Sequence, residues 1–208
     1  MPALAIETPH GPARAHLHRV GAPRAALVLG HGAGGGVAAP DLQAATRAAL
    51  AEAVAVALVE QPYRVAGRRS QAPAHQLDAA WTAVVQELGD GELAGLPLVV
   101  GGRSAGARVA CRTAAATAAA RVLCLAFPLQ PPGRAGGVSR PSRLAELEAV
   151  RVPTLVVQGE RDPFGMPPEG PGRTVVLVRG DHALKSDLAA VTEAVRAWLQ
   201  RLASSLRS

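Results

Sequence analysis

An apolar run, Leu96-Pro97-Leu98-Val99-Val100, leads into Gly102-Arg103-Ser104-Ala105-Gly106, and an alanine-rich segment follows. The three pieces read as a buried strand, a sharp turn and a helix. A strand that hands over to a helix this abruptly leaves no space beside the turn, and the glycines flanking Ser104 meet that demand. Such a turn pushes the serine hydroxyl out of the backbone, towards the end of a sheet. In a chain with 22 glycines the G-x-S-x-G pattern alone says little. Its place between strand and helix is what gives it weight.

The rest of the chain repeats the same alternation, which predicts a mostly parallel sheet with helices on both faces. Segments 4–8 and 13–20 flank a Pro-His-Gly-Pro turn and read as an antiparallel hairpin. Further strands are expected at 25–29, 54–59, 96–100, 122–127, 154–158 and 174–178. Helices are expected at 41–53, 74–88, 105–119, 143–147 and 187–202. The second carries Leu77, Trp81, Val84, Val85 and Leu88 on one face, and the last carries Leu188, Val191, Val195, Trp198 and Leu199. The fold class is α/β: an eight-stranded, mostly parallel sheet in a single domain spanning 1–208. No segment is long enough for a lid domain, so loops 61–73 and 128–142 should shape the mouth of any site.

Hydrophobic residues make up 49% of the chain but aromatics only 2%, so the core must be built from Ala, Val and Leu. The formal charge is +6, and Lys185 is the only lysine. A basic balance can signal nucleic acid, but the arginines are scattered and no aromatics interleave with them, which argues against that partner. The N-terminus lacks the basic and apolar regions of a signal peptide, and Arg, Pro or Gly interrupts every apolar run before it could span a membrane. A cytoplasmic protein is expected. Cys111 and Cys124 are expected as buried free thiols rather than a disulfide framework.

A serine hydroxyl needs a base to take its proton, and the base needs a third group to orient it. After Ser104 there are three aspartates and one histidine. Asp162 directly follows the strand 154–158, and His182 directly follows the strand 174–178. Each stands at the C-terminal end of a strand, where open parallel sheets place their sites. The order Ser, Asp, His along the chain is that of a nucleophile-elbow hydrolase. Asp181 is too constrained by its neighbour His182 to reach that imidazole, Asp187 fits a helix N-cap, and Glu160 is the nearest rival acid. An oxyanion needs backbone donors. Ala105 supplies the first, and Ala33, or next Gly34, supplies the second from the loop after 25–29.

That glycine-rich loop carries neither G-x-x-x-x-G-K-[ST] nor G-x-G-x-x-G, so a nucleotide is not expected and no cofactor is called for. His31 within it reads as a buttress. His16 and His18 share a strand face, but no acidic or Cys partner follows at ligand spacing, so no metal is expected. Arg64, Arg68, Arg69, Arg103 and Arg143 would select an acidic substrate if gathered at the mouth; solvated surface arginine is the default. His75 carries no signal.

Several stretches together resemble one group. They are Leu27-Val28-Leu29-Gly30-His31-Gly32-Ala33-Gly34-Gly35, Glu60-Gln61-Pro62-Tyr63-Arg64, Gly101-Gly102-Arg103-Ser104-Ala105-Gly106-Ala107-Arg108, Phe127-Pro128-Leu129-Gln130-Pro131-Pro132-Gly133, Gln158-Gly159-Glu160-Arg161-Asp162-Pro163-Phe164-Gly165 and Gly180-Asp181-His182. The group is the small α/β-hydrolase branch related to dienelactone hydrolase. It includes bacterial proteins of unassigned substrate, and a eukaryotic chromatin-complex (NSL) subunit with testis-expressed relatives. The resemblance runs from about residue 20 to the C-terminus and implies a triad of Ser104, Asp162 and His182. Within these motifs Tyr63, Arg64, Arg103, Leu129, Gln130 and Phe164 are the candidates for lining a substrate pocket. Dienelactone hydrolase uses a cysteine nucleophile, so lactone cleavage does not carry over. The chain also departs from the pattern at Gln130, where histidine is expected, and at Ala105, where a larger residue is common. The resemblance implies cleavage of a small-molecule carboxylic ester or thioester through an acyl-enzyme. Acyl transfer with the same triad, or a non-catalytic interaction module on the scaffold, are the alternatives. Nothing in the sequence sets the acyl group or the oligomeric state.

Overall fold

A computed structural model describes residues 3–131 and 141–205. In chain order its elements are β1 (Leu4–Ile6), β2 (Ala13–His18), β3 (Ala25–Gly30), α1 (Pro40–Ala51), β4 (Val54–Glu60), α2 (Pro62–Val65) and α3 (Ala74–Asp90). They continue with β5 (Leu98–Arg103), α4 (Ala105–Thr113), β6 (Arg121–Leu125), α5 (Leu144–Glu148), β7 (Thr154–Gly159), β8 (Arg173–Val178) and α6 (Leu188–Ser205). The strands form one sheet in the order β1-β2-β4-β3-β5-β6-β7-β8. Pairing is antiparallel from β1 through β2 to β4 and parallel across the rest.

Successive side chains of a strand point to opposite faces, and every residue of β3 is buried. Ala26 and Val28 therefore join one core layer, while Leu27 and Leu29 join the other. The first layer is closed by α3 and α4 through Leu77, Trp81, Val84 and Val109. The second is closed by α1 and α6 through Leu42, Ala45, Val195 and Trp198. Strands buried on both faces read as unbroken apolar runs, which is why 25–29 and 54–59 show no alternation in sequence.

Cys111 on α4 and Cys124 on β6 are buried free thiols whose sulfurs lie 3.5 Å apart. The hydrogen bond shared with Cys111, with burial behind it, pushes the Cys124 thiol well above its ordinary range. Among the described residues no helix is long and apolar enough to cross a membrane.

Two expected elements differ. The helix expected over 105–119 gives up regular helix after Thr113. Thr113 and Thr117 donate their hydroxyls back to the carbonyls of Val109 and Thr113. Ala118 then turns left-handed (φ 47°), with Ala118 N–H on Ala115 O and Ala119 N–H on Ala114 O. That bond pair closes a helix end, usually on glycine. Segment 61–73 was expected as loop throughout, yet Pro62 opens the short α2, because proline's fixed φ suits a first helical position.

Candidate active site

The sheet reverses its winding between β3 and β5. β4 lies on the outer side of β3, and β6 on the outer side of β5. Loops leaving the C-terminal ends of two such strands diverge and open a crevice. The His31–Gly36 segment leaves β3 there, and Ser104 leaves β5.

Ser104 adopts φ 53° and ψ −110°, a strained backbone for any residue with a Cβ. Its N–H donates to Leu125 O (2.9 Å) and its carbonyl accepts Arg108 N–H (3.2 Å), which locks the turn to β6 and to α4. A Cβ on Gly102 would lie 2.5 Å from Gly30 O, and one on Gly106 would strike the same carbonyl. The two glycines thus let α4 rest on the end of β3.

His182 reaches the serine from the far side of the sheet. Its turn is shaped by Asp181, whose Oδ1 accepts Ala183 N–H (2.9 Å) and whose carbonyl accepts Leu184 N–H (3.1 Å). Its Nδ1 lies 2.8 Å from Asp162 Oδ2, and its Nε2 lies 2.9 Å from Ser104 Oγ. A carboxylate can only accept, so Nδ1 carries the proton and Nε2 faces the serine as an acceptor. Phe164 meets the imidazole edge-on, with ring centroids 4.5 Å apart. Asp162 is held in turn. Its Oδ1 accepts Phe164 N–H (2.9 Å) and its Oδ2 accepts Gln158 Nε2–H (2.8 Å). Glu160 is exposed, and Asp187 caps α6 through Ala190 N–H.

Arg103 ties these parts together. Its Nε donates to Asp41 Oδ2 (3.0 Å), and an Nη donates to the carbonyl of His182 (3.0 Å). Asp41 is fully buried, and burial pushes its carboxyl up while the Arg103 charge pulls the other way. The loop after β3 is pinned from below. His31 Nδ1–H donates to Gly32 O (2.8 Å), and Nε2 accepts Gln61 N–H (3.2 Å). Burial lowers the His31 pKa, in keeping with that neutral tautomer. Tyr63 donates its hydroxyl to Ala33 O (3.1 Å).

An open cavity of about 350 Å³ covers Ser104. Ala33, Gly34, Ala105 and His182 line it with the serine, so the residues expected to supply oxyanion donors and the base lie around one space. Ala105 opens α4, and a first helical N–H has no partner within its helix. Of the six pocket candidates, Arg103 and Phe164 line this cavity. Tyr63, Arg64, Leu129 and Gln130 do not. Tyr63 is buried behind the loop it supports, and Leu129 is buried as well. Gln130 uses its N–H on Phe164 O (2.7 Å). Arg64 sits on α2, away from the cavity. Arg143 does line it and donates to Pro128 O (2.9 Å), while Arg68 lies in a separate pocket. Most of the expected mouth loop, 132–140, lies outside the described residues. Gln71 and Pro128 line it from the two loops expected to shape the mouth, though neither was singled out by residue, and Arg108 was not expected to line it. Arg108 did leave a signal, since a position four after Ser104 shares its side of the helix. Among the described residues no three His, Cys, Asp or Glu converge as metal ligands, and His16 pairs with Glu60 (3.0 Å).

Residues 23–205 match the family model described as alpha/beta hydrolase domain. A search of curated proteins finds no match. Among solved structures, the chain resembles XC6422 from Xanthomonas campestris, an α/β serine hydrolase without a lid. That match has a TM-score of 0.77 at 19% identity and covers 97% of this chain and 94% of that one. Est1E from Butyrivibrio proteoclasticus superimposes with a TM-score of 0.79 at 15% identity, over 98% of this chain and all (100%) of its own. Dienelactone hydrolase from Anabaena variabilis gives 0.76 at 15% identity, over 96% of each chain. At these identities the likeness is one of fold.

Proposed function

The chain belongs to the alpha/beta hydrolase family, and on that premise we propose that it is a serine hydrolase cleaving a small-molecule carboxylic ester or thioester. The observation that carries the proposal is the unbroken relay Ser104 Oγ, His182 Nε2, His182 Nδ1, Asp162 Oδ2, with contacts of 2.9 and 2.8 Å. In the proposed reaction Ser104 Oγ attacks the acyl carbon as His182 Nε2 takes its proton. The carbonyl electron pair moves to the oxygen, which the N–H groups of Ala105 and of Ala33 or Gly34 stabilise. When that pair returns, the bond to the leaving group breaks, and His182 passes it the proton. Water then repeats the sequence on the acyl-enzyme and restores Ser104. Asp162 holds the imidazole tautomer and stabilises its charged form. Metal and nucleic acid play no part in this reading.

We place the chain in the branch related to dienelactone hydrolase on its motifs. We place it in the cytoplasm, where two buried cysteines such as these would stay as free thiols. A fluorophosphonate probe tests the proposal. Wild type should be labelled and Ser104→Ala should not; a folded wild type that takes no label would overturn it.

A further inference from the structure

Two buried polar atoms behind the serine turn have no hydrogen-bond partner among the described residues, the indole Nε1 of Trp81 and the amide Oε1 of Gln61. Trp81 is 1% exposed and Gln61 6%. Buried polar groups are nearly always paired, and stranding one is costly, so each exception asks for a reason. Gln61 already spends its Nε2–H on Leu77 O (3.2 Å) and its backbone N–H on His31. Its Oε1 is what remains.

Both residues line one small cavity, with room for a single water-sized group, between α3, α4 and the ends of β3 and β4. Ala105 and Gln71 belong to the wall of this cavity and to the wall of the Ser104 cavity alike. The two spaces are therefore neighbours across Gln71 and Ala105, and Ala105, next to the nucleophile, carries only a methyl side chain.

We propose that this cavity is a subsite for the terminal hydroxyl of a short acyl chain carried on Ser104. The inference rests on the acyl-enzyme reading above. On an acyl chain, a hydroxyl is the smallest group that can serve a donor and an acceptor together. It accepts from Trp81 Nε1–H and donates to Gln61 Oε1. A plain alkyl chain of the same length would leave both buried groups unpaired, and sites built to bind a hydroxyl discriminate strongly against analogues that lack it. The substrate class is thus the ester or thioester of a short ω-hydroxy acid.

The test pairs binding with turnover. ¹⁵N-labelled Ser104→Ala protein has only two indole N–H signals, from Trp81 and Trp198, and Trp198→Phe assigns them. It is titrated with ethyl 3-hydroxypropanoate, ethyl 4-hydroxybutanoate and ethyl 5-hydroxypentanoate, and with the alkyl ester matched to each in heavy atoms. The Trp81 signal should move with at least one hydroxy ester and not with its alkyl match, while Trp198 stays still. In turnover, wild-type kcat/KM should favour that hydroxy ester by about ten-fold or more, and Trp81→Phe, which keeps a ring and loses the N–H, should cut the preference about five-fold. If the Trp81 signal ignores every hydroxy ester, or follows the alkyl esters equally, the cavity holds structural water only. The inference then falls, although fluorophosphonate labelling would still support the hydrolase. If wild type takes no label and cleaves no ester, yet the Trp81 signal moves as expected, the hydrolase reading falls and takes the acyl-enzyme subsite with it, leaving a cavity that binds a hydroxyl without turnover.

Discussion

Ser104 holds a backbone that its own side chain disfavours. At φ 53° a Cβ costs about 1 kcal/mol, which glycine would not incur. Ser104→Gly should therefore unfold in urea at higher concentration than Ser104→Ala, by about 1 kcal/mol of stability, while both lose labelling. Equal midpoints would mean that the turn relaxes without the serine. Asp162→Asn should leave the fold intact and lower kcat by about 10⁴, since an amide can donate to Nδ1 and turn the imidazole to the wrong tautomer. Ester hydrolysis, with circular dichroism as the check on folding, decides it. His31 predicts a pH effect. Burial lowers its folded-state pKa below the ordinary 6.5, so below that pH the unfolded chain binds a proton that the folded chain refuses. Its contribution to stability is complete above pH 6.5 and is lost as pH falls towards the folded-state pKa, at up to about 1.4 kcal/mol per unit. His31→Gln should be less stable at pH 7.5, with the gap to wild type narrowing at pH 5. A gap of constant size would show that His31 does not titrate this way.

At the scale of elements, the contact between β3 and α4 has the least tolerance. Gly106 lies against the Gly30 carbonyl, so Gly106→Ala must push α4 off the strand end or shift the loop that follows β3. Overpacking against backbone costs about 3 kcal/mol. A drop of that size in urea unfolding, with slower labelling of Ser104, is the expected outcome; an unchanged midpoint would mean that the contact yields freely. The same contact explains what could be read beforehand. The pattern Gly102-Arg103-Ser104-Ala105-Gly106 is legible because steric demand there admits few residues. Asp162 and His182 are legible because each follows an apolar strand at its C-terminal end. The buried pair of Asp41 and Arg103 is not. Asp41 looks like an ordinary helix-start acid, and only the packing of α1 beside the turn shows where its charge goes. Pocket lining is less legible still. Tyr63 and Phe164 both stand in recognisable motifs, yet one faces inward to hold Ala33 while the other meets His182. The end of α4 was misread because threonine bonds to the helix's own carbonyls and a left-handed alanine stand where glycine is the usual sign.

For the molecule as a whole, the sheet is a shared wall. Val28 belongs to the layer under α3 and α4, while its neighbours Leu27 and Leu29 belong to the layer under α1 and α6. Neither layer can open fully without exposing strands that the other still needs. With so few aromatics, each layer rests on many Ala, Val and Leu contacts, and each holds one tryptophan, Trp81 in the first and Trp198 in the second. That distribution makes cooperativity measurable. Trp81→Phe leaves tryptophan emission only in the second layer, and Trp198→Phe leaves it only in the first. If the layers unfold together, each variant's fluorescence transition in urea will coincide with its own far-UV circular dichroism transition. If α1 and α6 leave first, the signal from Trp198 will change at lower urea than the dichroism, and that from Trp81 will not. The strand alternation predicts coincidence, because both layers are anchored on successive residues of the same β3, β4, β6 and β7. A separated transition would show that the two faces of the sheet are energetically independent.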